Sequence, residues 1–146
     1  MNIKNYTSSV PVERTVSRIE QLIAEAGASN VAKSYEAGKL VALCFKAMVR
    51  GKLLTIRLPV NTDAVYRVMC SGVKKPRAGT IERLQQQAER TSWKLMQDWV
   101  EVQLALIKMG QAEFVQVFLP YIWSGTETFY DAMLRTNFKA LPESTE

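Results

Sequence analysis

The chain has 146 residues, 47% of them hydrophobic and 23% charged, with a formal net charge of +5 and no histidine. That length suits one domain with its own core, and the composition is ordinary for a globular protein. The missing histidine removes the commonest general base, the triads built on it and the commonest transition-metal ligand; no run approaches the roughly 18 apolar residues of a membrane-spanning helix.

Residues 1–9 are polar and are expected to be flexible, and the opening MNIKNYTSSVPVERT lacks an apolar leader core, so the expected location is a cytosol. From Pro11 the pattern changes. Val12, Val16, Ile19, Leu22, Ile23 and Ala26 recur at helical spacing, with Ser9 or Val10 near the cap, Pro11 in the first turn and Gly27 as the stop. Glu13, Arg14, Arg18, Glu20 and Glu25 fill the opposite face, which describes an amphipathic surface helix.

Strand patterns follow. VAKSY (31–35) ends at a turn containing Gly38, and LVALCFKAMV (40–49) alternates Val41, Leu43, Phe45, Ala47 and Val49 against Ala42, Cys44, Lys46 and Met48. Arg50-Gly51 reads as a tight hairpin turn. LLTIRLPV (53–60) places Leu54, Ile56 and Leu58 on one face and Leu53, Thr55 and Arg57 on the other, and Pro59 ends the strand. The three make a small antiparallel meander.

The rest reads as helical. Asn61 or Thr62 caps a short helix running through Met69, closed by Ser71-Gly72. One long helix is expected over about 80–109, with Ile81, Leu84, Ala88, Ser92, Leu95, Trp99, Val102, Leu106 and Met109 along one line. From Trp93 a second apolar line, Met96, Val100, Leu104 and Ile107, joins it, and a helix apolar on two sides is buried between layers or between subunits. A short apolar helix interrupted by Pro120 (112–125), a last helix with Thr126 as cap (126–138) and a polar tail (140–146) complete the chain. The expected fold is α+β in a single domain over 1–146: an N-terminal helix, a three-stranded antiparallel meander, then a helical C-terminal half.

Three stretches, VPVERTVSRIEQLIAEAGAS, LPVNTDAVYRVM (58–69) and the segment from AERTSWKLMQDW to FLPYIWSG (88–125), are similar to a family of small, uncharacterised proteins encoded by tailed phages and prophages. The resemblance runs from about Val10 to Pro142, with markers at Val12 to Thr15, Arg57-Leu58-Pro59, Trp93, Asp98-Trp99 and Leu119-Pro120-Tyr121. It implies a viral accessory protein in the host cytoplasm that acts by binding, either to a host protein or to a defence signal. It brings no reaction, catalytic residue or cofactor with it.

The charge is concentrated. Residues 73–94 hold Lys74, Lys75, Arg77, Arg83, Arg90 and Lys94 against Glu82 and Glu89, a local excess of +4. GVKKPRAGT is not a Walker A loop, because the glycine spacing is wrong and Pro76 lacks an N–H. It precedes a long helix, however, and three readings stand side by side: a solvated loop, an anion or nucleotide contact, and a nucleic-acid backbone contact. Along the helix, Arg83, Arg90 and Lys94 share a side, and Trp93 beside them either stacks on a base or packs in the core.

Arg57 faces either water or a pocket for carboxylate or phosphate, in which Tyr66 and Arg67 would join it. Cys44 and Cys70 lack zinc-site spacing and read as buried free thiols, and Asp98 reads as a structural carboxylate. No metal, cofactor or catalytic set emerges. The expected partners are a second copy of the chain and a nucleotide-type small molecule, with nucleic acid or a host protein as the alternatives and no membrane.

Overall fold

The structure, a computed structural model, describes residues 4–145. Helix α1 (Val12–Glu25) begins after Pro11, whose fixed φ of −59° with ψ at 145° suits the capping position rather than the first turn. Its Thr15, Val16, Ile19 and Ile23 are buried, the three- and four-residue steps of one helix face.

The meander is present. Strands β1 (Asn30–Glu36), β2 (Lys39–Val49) and β3 (Lys52–Arg57) pair antiparallel in that order. Arg50 and Gly51 both take positive φ, 50° and 79°, the left-handed pair that a two-residue hairpin matched to strand twist requires. Leu43, Phe45 and Ile56 point into the core, whereas Cys44 and Lys46 stand opposite Arg57 and Thr55 on the other face. On that second face Met48 and Leu53 are exposed, whereas Ala42 is buried. All seven residues of β1 are exposed, so the sheet's hydrophobic content lies in β2 and β3.

Asn61 caps α2 (Thr62–Cys70) by accepting from the Ala64 N–H at 3.0 Å. The long helix α3 (Ala78–Lys108) starts two residues earlier than its periodicity suggests. It sends Trp93, Met96 and Val100 into the core, with Ala88, Thr91, Ser92 and Gln97 buried beside them. The expected helix over 112–125 is only α4 (Phe114–Phe118), followed by a 3-10 turn (Leu119–Tyr121). Pro120 has no N–H to continue an α ladder, so the chain tightens and then extends. The last helix, α5 (Phe129–Arg135), is shorter than 126–138 and is capped by Thr128 rather than Thr126, in a reciprocal box with Asp131.

The extension after Pro120 sets up the rest. Ile122 bridges to Ile56, and the Trp123 N–H donates to the Thr55 carbonyl at 2.8 Å, so the backbone adds to the free edge of β3. Rings lock this return: Phe118 packs edge-on against Phe45 at 5.8 Å and Trp99 at 5.7 Å, and Trp99 meets Tyr121 at 5.5 Å.

At the N-terminus, residues 4–9, expected to be loose, are tied to α3. Asn5 donates to Asp98 at 2.8 Å, Gln87 donates to the Tyr6 and Ser8 carbonyls, and Thr91 donates to the Asn5 carbonyl at 2.9 Å. The backbone carbonyls of Asn5, Tyr6 and Ser8, with the Asn5 side chain, serve as partners for α3. Residues 141–145 carry no regular structure, while 1–3 and 146 lie outside the described residues.

Candidate functional site

Arg57 ends β3 on the face opposite Leu43, Phe45 and Ile56, where alternation puts it. The returning segment brings Trp123 beside it, and the guanidinium carbon lies 4.6 Å from the indole centroid. Arg57 also lines an open cleft of about 320 Å³, together with Pro59, Asn61, Tyr121, Tyr130 and Asp131. That is the low end of the size range of small-ligand sites. No hydrogen bond from Arg57 to another described residue is present, so its fork of N–H donors is unsatisfied by protein.

Electrostatics in the cleft are mixed. The Thr128 backbone N–H and hydroxyl hold the Asp131 carboxyl below its ordinary range, and the Arg57 charge adds to this. Across the sheet from Arg57, burial raises the Cys44 thiol above its ordinary value, against the opposing pull of that guanidinium. Cys44 is therefore a neutral thiol near neutrality. A guanidinium held on an aromatic face offers its edge to a planar anion, and two tyrosine rings offer apolar walls to a ring.

Tyr66 and Arg67 do not join this cleft. Asn61 starts α2 at the cleft rim, and the helix carries both residues away from it. Tyr66 instead lines a separate hollow with Asn61, Asp63, Lys39 and Glu89, and its hydroxyl interacts with Cys70, which raises its pKa. Arg67 is exposed on the last turn of α2. The true neighbours of Arg57, which are Trp123, Tyr121, Tyr130 and Asp131, come from far along the chain. The only local hint was the Leu119-Pro120-Tyr121 break, which forces an extended return.

The basic stretch divides in two. Lys74, Lys75, Arg77 and Arg83 are exposed, and none of them forms an ion pair among the described residues. Arg90 and Lys94, by contrast, are engaged within the fold. Arg90 donates to Gln87 at 2.6 Å and to the Ser8 carbonyl at 3.3 Å, and Lys94 pairs with Asp98 at 3.8 Å. Trp93 is 1% exposed, a core side chain with no face open to a base. The proposed line of Arg83, Trp93, Arg90 and Lys94 is thus broken, because the core and the N-terminal segment take its second half. Glu89 pairs with Lys39 at 3.1 Å and not with an arginine.

Asp98 is the structural carboxylate the sequence suggests, receiving Asn5, Lys4 at 3.4 Å and Lys94. Cys44 and Cys70 are free and half-buried. Among the described residues no group of three or more His, Cys, Asp or Glu side chains converges on a metal position, and no helix is long and apolar enough to cross a membrane. Comparison with protein-family models, with curated proteins and with solved structures finds no match.

Proposed function

We propose that the protein acts by binding a small anionic, ring-bearing ligand of the nucleotide class in the Arg57 cleft. The observation that carries this is the Arg57–Trp123 stack, which holds a guanidinium with free donors beside two tyrosines. Phosphate meets the guanidinium edge, and the base lies against Tyr121 or Tyr130. The resemblance to phage accessory proteins supports a sequestering role for such a site, with a nucleotide-derived defence signal as the occupant and no catalysis required. Calorimetry with mono-, di- and cyclic nucleotides is the direct test. Binding that Arg57→Ala abolishes supports the reading, and absence of heat across the panel at protein concentrations of about 100 μM refutes it.

A second copy of the chain belongs to the same reading. On α3, Val102 is 55% exposed and Met109 74% exposed, with Leu95 and Leu106 half-buried on the same side of the helix. An apolar line opposite a helix's core face is suited to another such line.

A further inference from the structure

The exposed basic residues that the cleft does not use lie close together in the fold. Arg67 is in the last turn of α2, Lys74, Lys75 and Arg77 are in the connection, and Arg83 is within the first two turns of α3. All five are exposed and none forms an ion pair among the described residues, while Glu82 is the acidic residue among them. Elsewhere Lys4, Arg18, Lys33, Lys39, Arg50, Lys94 and Arg135 all have carboxylate partners. Other cations without an ion pair among the described residues, such as Arg14, Lys46, Lys52 and Lys108, are spread over other elements, whereas here five follow one another from the end of α2 to the start of α3.

Both ends of the connection are anchored by hydrogen bonds. Val73 donates to the Cys70 carbonyl at 3.0 Å, Ser71 closes α2 through its hydroxyl, and Ile81 donates to the Arg77 carbonyl at 3.0 Å. Lys75 sits at φ 52° immediately before Pro76, where the proline ring favours extended backbone. That conformation costs about 1–2 kcal/mol for a residue with a side chain, and strain of this kind clusters at functional positions.

We propose that this end of the molecule binds the phosphate backbone of a duplex nucleic acid, without reading sequence. Several cations on neighbouring elements match closely spaced phosphates. A single strand is the poorer match, because Trp93 is the one aromatic residue between Arg67 and Lys94, and it is buried. The site is separate from the Arg57 cleft, which lies at the opposite end of α2, roughly 13 Å away for nine residues at 1.5 Å each.

The test is fluorescence anisotropy of a labelled duplex DNA of about two turns, titrated with the intact protein from about 50 to 200 mM salt. Five phosphate contacts predict a slope of log Kobs against log salt near −4.5, at about 0.9 per contact. Combined Lys74→Glu, Lys75→Glu and Arg77→Glu should weaken binding at least ~100-fold and flatten the slope by about 3. Arg67→Glu with Arg83→Glu, placed on helices, should act in the same direction, and Lys52→Glu with Lys108→Glu, exposed elsewhere, should change neither. Duplex RNA run in parallel identifies the source of the phosphates, and binding of either duplex supports the proposal. No binding at the lowest salt, a slope shallower than about −2, or triple-variant binding equal to the parent overturns it. Equal competition by polyglutamate also overturns it, and points to an acidic protein instead.

Discussion

Arg57 and Trp123 are brought into a stacked pair, 4.6 Å from guanidinium carbon to ring centroid, by two backbone links on adjacent positions. Ile122 bridges to Ile56, and Trp123 donates to Thr55, so the register of this short added strand fixes which side chain faces the arginine. A slip of one residue would bury the indole and expose Ile122.

Removal of either partner should therefore act on the ligand more than on the fold. Trp123→Ala is expected to weaken nucleotide binding roughly 5- to 30-fold, the range of a cation–π contact of about 1–2 kcal/mol. Arg57→Lys keeps the charge and loses the fork, so it should weaken binding nearly as much as Arg57→Ala. Calorimetry gives the affinities, and unchanged circular dichroism shows that the sheet survives. Full affinity in Arg57→Lys would mean that charge alone matters.

The two halves of this pair were unequally legible. Alternation in LLTIRLPV placed Arg57 opposite Leu54, Ile56 and Leu58, because period-2 patterning is local information. Its partners were not legible, since Trp123, Tyr130 and Asp131 reach it only through a turn and a bridge that pair distant residues. Helical spacing likewise gave α1 and α3 to within a few residues. It could not decide whether Trp93 faced solvent or core, because the helix is apolar on two sides there.

Trp93→Ala should cost about 3–5 kcal/mol, the usual penalty for emptying a large core site. Urea denaturation measures it. Trp93→Phe should lose less and leave duplex binding unchanged, whereas a specific loss of duplex binding in a folded Trp93→Phe protein would place the ring at the surface.

Asn5→Ala should destabilise by about 1 kcal/mol, because it removes a hydrogen bond to a half-buried carboxylate. Asp98→Ala on its own should cost more, since Asn5, Lys4 and Lys94 all lose a partner. In the double variant the two losses should add to less than their sum, the mark of a shared contact. Simple additivity would show that the N-terminal segment does not rest on Asp98.

Asp131 makes a prediction about acid. Its folded pKa lies below its ordinary 3.8, through the two Thr128 hydrogen bonds and then Arg57. The capping contribution is thus fully present above about that pH and is lost as pH falls through the lower folded value. Carboxyl NMR titration should give a midpoint below 3.8, and Asp131→Asn should remove the acid-dependent fraying of α5. A midpoint at or above the ordinary value contradicts the capping box.

Val102→Glu with Met109→Glu should convert any oligomer to monomer without loss of helix signal, since both side chains are exposed. Light scattering on the parent and the variant decides this. A monomeric parent at about 100 μM removes the second copy from the picture.

The contacts of Asn5 and Ser8 with α3 also bear on the order in which the chain is completed. Asn5 and Ser8 precede the sheet in the chain, yet their partners Gln87, Arg90, Thr91 and Asp98 are synthesised only after it. Such distant closures carry a large loop entropy and form late. Until α3 is out, the opening segment has nothing to hold it, and the buried polar side of that helix has no cover. A bulky fusion placed directly before this segment would compete with this last step.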